Sequence, residues 1–594
     1  MIVPMKKVTL LTLAAHRDKT LDALRELGIL HVTPLKPVIT GDVESARRTL
    51  EEARTVYSTL ARLTSGKRPS PDSKFPTTPD RACLEEGARL MARTRDRTEH
   101  LQRLSHTITE LSPLGDFSLA QLRELTARGL CVQLFKASAK AKIAIPDDVV
   151  QLELSRDNKT VHFALIGTRG WTPPEAVELP LPERALCDVI RDRDRLTAEQ
   201  TADNIALAEL GAHLPQIAKA VDALVDRLHW LQARDGMTAE GPLLLMQGFM
   251  PTNKLPALQA EAQREAWGWL AEEPAENDPV PTLIDSPRWF RPIHLMFDLL
   301  GMLPGYKEVD VSPVFLVFFT LFFAMLVGDA VYGLLFLGLT LLLKMKWKTA
   351  PKNMVPLLAI LSCGTLVWGV LTGSYLGLDV LSGPLKRLRI GWLLDTTQIQ
   401  TFCFMVGSIH MTIAHAWNVA RLRKHWTALS HIGWIGSCWA MYALANYLVL
   451  GLPLRPGTGI LLGLSIFLIL GFTVPLHEMK KEFASLVTLP LSIIGNFGDV
   501  VSYLRLYLVG SASVVLIQAF NDIAFPKGAA GIVALLGGAL IVFAVHVLNI
   551  LLSTLAVLVH GVRLNALEFS THMGIQWLGR NYDPFRRQTE NTPL

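Results

Sequence analysis

Two arginines in this sequence stand where arginine is costly. Arg505 follows Val500-Val501-Ser502-Tyr503-Leu504, and no further Asp, Glu, Lys or Arg appears before Phe520. Arg563 closes the next apolar run, in His560-Gly561-Val562-Arg563-Leu564-Asn565. A charge at the centre of a bilayer costs about 2.5–3.5 kcal/mol on insertion scales, so such a residue faces protein or water and does a job. Arg563 has a plainer account as a helix-end cation snorkelling to the interface. For Arg505 the apolar residues that follow make snorkelling harder. On a helix Arg505 shares a face with Val501, Ser502, Leu508, Val509 and Ala512, small enough for another helix to come close. Arg563 shares its face with Asn549, Val559, His560, Ala566 and Leu567. Two cations so placed suit a mobile carboxylate opposite. No acid in the chain's own apolar runs is an obvious match for both, so that carboxylate is expected on another subunit.

An ion passing these arginines needs polar groups at membrane depth. The candidates are Asp329, His410, His415, Asp499, Gln518, His546, Asn549, Ser553 and Glu568. Each is equally open to being a satisfied packing group, except Asp329, which interrupts a 31-residue apolar run and is read as functional. No phosphate-binding GxxxxGK[ST] loop is present; Ser65-Gly66-Lys67 has Ala61 where the first glycine belongs, so nucleotide chemistry is not expected here. The six cysteines include no CxxC pair, which argues against a metal site or a disulfide framework. The net charge of +5 comes without a basic arm or patch, and nucleic acid is not an expected partner. No cofactor is expected.

The elements that must hold these residues divide the 594 residues in two. Hydrophobic residues make up 50% and charged residues 19%, and mean hydropathy is +0.30. Residues 1–310 carry most of the charge. Residues 7–13 read as a strand, 17–27 as an amphipathic helix and 29–33 as a second strand, a βαβ start. Lys6 and Lys7 precede too short an apolar stretch for a signal peptide, since His16-Arg17-Asp18-Lys19 follows at once. Helical spacing returns from Asp42 to Leu63, from Arg81 to Leu111 and from 183 to 233, with a Pro/Ser/Lys loop at Ser65–Asp80 and strands across 130–166. Long polar helices with thin apolar stripes pair as antiparallel coiled coils. Residues 271–288, rich in Pro, Glu and Asp, read as a linker.

From Pro313 the apolar runs are Pro313–Leu343, Met354–Leu378, Gln400–Ala420, Trp426–Leu452, Gly459–Leu476, Phe483–Phe520 and Gly528–Val562. A helical span needs about 20 residues, which gives seven spans, or eight if the first run is a hairpin broken at Val327–Gly328. One set of loops carries Lys344, Lys346, Lys348, Lys352, Arg421, Arg423, Lys424, Lys480 and Lys481. The opposite set carries Lys386, Arg387, Arg389, Arg455 and Lys527, so the first set is assigned to the cytoplasm. The last two runs are too long for one upright span and too short for two, and are expected as long, tilted helices.

Six segments carry a resemblance to a known family. Ser502-Tyr503-Leu504-Arg505-Leu506, preceded by Gly498-Asp499, resembles the signature of the a subunit (subunit I in bacteria and archaea) of V-type and A-type ATPases. Tyr306, Glu308, Asp310 and Pro313; Gly328-Asp329-Ala330-Val331-Tyr332-Gly333; Gly407, His410 and Met411; and His560 to Arg563 with Glu568 match that family in order. Gln247-Gly248-Phe249-Met250-Pro251 resembles a strand-to-turn motif of its soluble half.

The resemblance implies an α+β cytoplasmic arm (1–290) of antiparallel coiled-coil helices with small α/β lobes. A connector (291–312), a translocating domain of about eight spans (313–575) and a short tail (576–594) would follow. It implies a multi-pass protein of a prokaryotic plasma membrane that lets H⁺ or Na⁺ through two half-channels, with Arg505 and Arg563 facing the carboxylates of a rotor ring. Its partners would be that ring, peripheral stalks, and the central-stalk connector and ATPase head that carry catalysis. Some relatives have an acid ten residues before the last-span arginine and a histidine eight after the Ser-Tyr-x-Arg arginine; this chain has Ser553 and Ser513. A secondary transporter or channel with a cytoplasmic domain also predicts buried arginines, but would favour internal repeats, and none is convincing. A non-conducting scaffold would not need two deep arginines.

Overall fold

The computed structural model describes the chain except residues 37, 65–79, 142, 144, 348–349, 378–385, 475–482, 525–531 and 588–594. Outside the described residues therefore lie Ser65–Lys67, Lys348, Lys480, Lys481 and Lys527. Contacts divide the chain into two units, one of residues 8–248, 256–270 and 584–594, the other of residues 1–7, 249–255 and 271–583.

The first unit begins with strand β1 (Met5–Leu13), helix α1 (Arg17–Leu27) and strand β2 (His31–Thr33). Alternating burial along β1 puts Val8, Leu10 and Thr12 inside, and Gly28 ends α1 in the left-handed region. The two strands are not neighbours. Strand β8 (Leu243–Pro251) lies between them in the order β2-β8-β1-β9, where β9 is Gly268–Glu272 and β7 (Thr238–Glu240) pairs on β8. Gly248 of the Gln-Gly-Phe-Met-Pro segment permits that insertion, since a Cβ there would stand 2.5 Å from the His31 carbonyl oxygen. A second, antiparallel sheet has the order β4-β5-β3-β6, from β3 (Cys131–Ser138), β4 (Val149–Arg156), β5 (Thr160–Gly167) and β6 (Ala176–Leu179).

The helices between are α2 (Gly41–Thr64), α3 (Asp80–Leu111), α4 (Leu119–Ala127), α5 (Leu186–Leu210) and α6 (Leu214–Asp235). The third helical stretch is thus two helices, parted by a tight turn at Gly211–His213 with Pro215 in the first turn of α6. Helix α2 packs on α6, and α3 on α5. Val43, Leu50, Ala53, Val56 and Leu60 meet Ile217, Val221, Val225, Leu228 and Leu231, at the three- and four-residue spacing of a helix seam. Arg97 ties α3 to Asp203 and Glu199 of α5.

The second unit is mostly helical. Helix α7 (Leu255–Arg264) lies almost wholly in the first unit; in the second, after α8 (His294–Leu300), come α9 (Ser312–Val327), α10 (Ala330–Lys346), α11 (Met354–Thr372), α12 (Thr396–Arg421), α13 (Ala428–Leu450) and α14 (Thr458–Phe472). Then follow α15 (Phe483–Ser502), α16 (Leu504–Ala524), α17 (Ile532–Ala556) and the short α18 (Ser570–Met573). Among the described residues, three helical stretches are long and apolar enough to cross a membrane: Met354–Thr372, Thr488–Ala524 and Leu536–Met573. Ser312–Val327 and Thr458–Phe472 are shorter apolar helices.

The first apolar run does break at Gly328, into α9 and α10. Helix α11 packs against both, and Phe323 of α9 meets Phe336 of α10 with ring centroids 6.5 Å apart. In the region of the last two runs, the described helical stretches Thr488–Ala524 and Leu536–Met573 are 37 and 38 residues long. At 1.5 Å per residue that is about 55 Å against a hydrocarbon core of about 30 Å. Phe315, Phe319, Phe322, Phe404, Met411, Tyr503, Leu506 and Phe569 form the core on which these helices meet.

Candidate functional site

The position of Arg505 is set two residues earlier. The long helix hesitates at Tyr503, between α15 and α16, and the Tyr503 ring is fully buried. Its hydroxyl lies 2.8 Å from His410 Nδ1. The His410 ring is stacked between Phe318 and Phe569, with centroids 3.8 and 4.4 Å away. Gly407, one turn before His410 on α12, leaves room for the phenol, since a Cβ there would fall 2.6 Å from Tyr503 Cδ2. With Tyr503 anchored in this way, Arg505 emerges on the neighbouring face. Its Nε donates to the Ser502 carbonyl at 3.1 Å, and its Nη2 donates to Glu568 Oε1 at 3.3 Å.

Arg563 reaches that same oxygen, with its Nε 3.4 Å from Glu568 Oε1. The helix carrying both widens into π turns at Val557–Gly561 and Leu564–Phe569. On an α-helix residues five apart point about 140° away from each other. A π turn closes its ring from i to i+5 and brings Glu568 back beneath Arg563. The expectation that no acid of this chain matches both arginines is therefore corrected: Glu568 does. Its side chain is 6% exposed, against 27% for Arg505 and 53% for Arg563. Two guanidinium groups share one carboxylate, and one positive charge remains on the more open side. Glu568 Oε2, Asn565 Oδ1 and His560 Nδ1 are buried without a hydrogen-bond partner.

A second polar group lies between α10, α16 and α17. Asn549 donates from Nδ2 to the Tyr332 hydroxyl at 3.4 Å and accepts from Ser513 at 2.9 Å. Ser513 Oγ stands 3.3 Å from Ser553 Oγ, and Tyr332 Oη stands 2.7 Å from His546 Nδ1. The two serines that depart from the family pattern are thus in contact with each other.

A third group begins at Asp499, two turns before Arg505. His572 Nε2 lies 3.2 Å from Asp499 Oδ2, and His572 Nδ1 lies 2.9 Å from His415 Nε2. His415 Nδ1 lies 3.1 Å from His431 Nδ1. Asn418 fixes the end of this helix by donating to the His572 and Met573 carbonyls.

Asp329 is wholly engaged in structure. It caps α10, its Oδ1 accepting from the Val331 and Tyr332 amides at 2.8 and 3.4 Å. Its Oδ2 accepts from the Ser374 hydroxyl at 3.0 Å and the Leu376 amide at 2.6 Å. It therefore braces the wall of a cavity of about 310 Å³ lined by Gly328, Ser374, Tyr375, Arg389, Ser511 and Gln518 among others. The Tyr375 hydroxyl is buried without a partner. The Tyr306–Asp310 segment is also structural. Tyr306 accepts from the Met5 amide at 2.9 Å, and Glu308 accepts from the amides of Gly305 and Gln576. Burial works to raise the Asp310 carboxyl, but the amino terminus, the Ser312 and Ser286 hydroxyls and the Ser312 amide hold it below the usual carboxylate range.

Sequence reasoning singled out both arginines, His410, His415 and Asp499, but missed His431 and His572. Neither stands out by itself: His431 opens α13 near the basic loop, and His572 lies past the last apolar run. A search for histidines within reach of His415 needs the helix packing that sequence spacing does not give. Among the described residues no cluster of three or more His, Cys, Asp or Glu is arranged to hold a metal ion.

No family model matches the chain. It is 30% identical to V-type ATP synthase subunit I 1 of Treponema pallidum (strain Nichols), over 99% of this chain and 100% of the relative. It is 27% identical to V-type ATP synthase subunit I of Borreliella burgdorferi, over 99% and 100%. To A-type ATP synthase subunit I of Methanocaldococcus jannaschii it is 24% identical, over 54% and 51%. The crystal structure of the cytoplasmic N-terminal domain of subunit I, homolog of subunit a, of V-ATPase matches 45% of this chain and 100% of that chain at 15% identity, with a TM-score of 0.23. A score that low carries no argument about fold.

Proposed function

The chain belongs to the subunit I family of V-type and A-type ATP synthases, and from that premise we propose that it is the stator of the rotary motor, past which a ring of small subunits carries H⁺ or Na⁺. It is a membrane subunit of the complex. The observation that supports the finer reading is the pair of guanidinium groups on one Glu568 oxygen, with one positive charge left over on the open side. Arginine stays protonated at any relevant pH. Its field favours the ionised form of an approaching carboxylate, so the ion must leave before the ring site passes. A carboxylate turned back toward lipid must reload, because a bare charge there is too costly. Rotation and ion flow are then coupled, each charge being worth about 2.3 kcal/mol per 100 mV.

In this reading the two half-channels lie on either side of the arginines. One runs through the cavity between Arg389 and Gln518, whose wall Asp329 braces as a cap without carrying the ion. The other runs through Asp499. Eight spans (313–575) hold the path, and the last two lean along the ring. Residues 1–290 form the cytoplasmic arm that binds the peripheral stalks, 291–312 connect, and 576–594 form a tail. Hydrolysis or synthesis belongs to the head.

Arg505→Ala is expected to abolish ATP-driven ion pumping in a complex that still assembles; normal pumping by that complex would refute the mechanism. For the arm, stalk subunits should be lost on purification when the α2–α6 region is deleted. Their retention would place the stalk site elsewhere.

A further inference from the structure

We propose that Asp499, His572, His415 and His431 form a proton relay, and hence that the translocated ion is H⁺. The inference rests on the stator reading above and supplies what that reading leaves open, the nature of the ion and the path to one side of the arginines.

The geometry is that of a wire. His415 uses opposite ring nitrogens, Nδ1 toward His431 and Nε2 toward His572. His572 likewise spends Nδ1 on His415 and Nε2 on Asp499. Nitrogens holding a metal would converge on one point; these instead meet in pairs at 2.9 and 3.1 Å, which is hydrogen-bond contact. His415 is buried and its ring is stacked on Trp434 at 5.9 Å, so the middle link is held in place and shielded. Both ends reach outward. His431 is half-buried on the first turn of α13, after the loop that carries Arg423 and Lys424, while the Asp499 side chain is 37% exposed. Gly495 and Gly498 leave open space beside Asp499, where a passing helix has access.

The carboxylate at one end dictates every tautomer. An ionised Asp499 only accepts, so His572 Nε2 carries a proton and its Nδ1 must accept. His415 Nε2 therefore carries a proton and its Nδ1 accepts, and His431 Nδ1 carries a proton, leaving His431 Nε2 as the acceptor at the loop end. A proton arriving there makes His431 an imidazolium. His431 then passes its Nδ1 proton to His415, His415 passes its Nε2 proton to His572, and His572 passes its Nε2 proton to Asp499. One proton has entered, Asp499 is a neutral acid, and all three imidazoles have exchanged tautomers. After Asp499 hands its proton to a ring carboxylate, the imidazoles reset by turning or by transfer back along the line. Other charged or titratable groups close by include Arg421 beside His431, His410 beside His572, and Cys438 and Tyr503 near Asp499. Sodium cannot follow this route, because each link moves a proton between nitrogens and offers no cage of oxygens.

The test uses the whole complex in sodium-free vesicles, with ATP-driven internal acidification as the readout and Arg505→Ala alongside. His415→Phe keeps ring bulk and removes both nitrogens. It is expected to cut the initial rate roughly a hundredfold, the low end of what a positioned proton-transfer group contributes. His431→Ala, at the accessible end and away from the core, should lose pumping and regain it when free imidazole is added. Pumping at the parent rate by both variants, no rescue by imidazole, or an absolute requirement for sodium would overturn the relay. If both variants pump while Arg505→Ala does not, the relay fails and the stator reading stands; if Arg505→Ala pumps, the stator reading fails.

Discussion

Three carboxylates illustrate how differently one functional group behaves at the scale of the residue. Glu568 holds two guanidinium groups with one oxygen and leaves the other unpartnered. Asp499 has a single histidine on one oxygen and access to the outside on the same side chain. Asp329 has two donors on each oxygen and serves as a cap. Asparagine matches aspartate as an N-cap, but its Nδ2 would stand donor to donor against the Leu376 amide, from which Asp329 Oδ2 accepts at 2.6 Å. Asp329→Asn should therefore still assemble and pump but with lowered thermal stability, and Asp329→Ala, which loses the cap as well, should lower the thermal stability of the purified complex further. A loss of pumping in the Asn variant with assembly intact would return Asp329 to the ion path. The sequence picked out Asp329 for interrupting an apolar run, yet the interruption is itself the reason for the residue: a helix that restarts inside the apolar region must satisfy its first amides.

At the scale of the element, legibility followed local periodicity. The Arg17–Leu27 helix and the seam residues of α2 and α6 could be read from their spacing because one stripe repeats at helical period. The break was visible at Val327–Gly328; its geometry was not, since only packing decides whether two helices separated by a turn fold onto each other. The same holds at Tyr503. The Ser-Tyr-Leu-Arg-Leu stretch marks the site, but the sequence does not say that the tyrosine is the anchor, gripped by Gly407 and His410 from another helix. The two π turns around Arg563 defeated the reading of its face altogether. Assuming 3.6 residues per turn put Glu568 on the wrong side of the helix, and with it went the one internal partner common to both arginines.

At the scale of the whole molecule, the long helices Thr488–Ala524 and Leu536–Met573 present apolar side chains outward along much of their length, including Leu491, Ile494, Leu508 and Val515 on the first. A lipid-facing helix and a ring-facing helix both look like this, so exposure alone does not name the neighbour. In the proposed reading the leftover charge at Arg505 and Arg563 selects the ring, because lipid has no use for a guanidinium and a ring of carboxylates has. Leu508 stands three residues past Arg505 and is 51% exposed, which makes it the place to ask. A cysteine at Leu508, in the assembled complex, should form a disulfide under mild oxidation with a cysteine placed one helical turn from the ring subunit's ion-binding carboxylate. ATP-driven turning should change the yield as successive ring subunits pass. No cross-link from position 508, together with a cross-link from the opposite face of the same helix, would contradict the account.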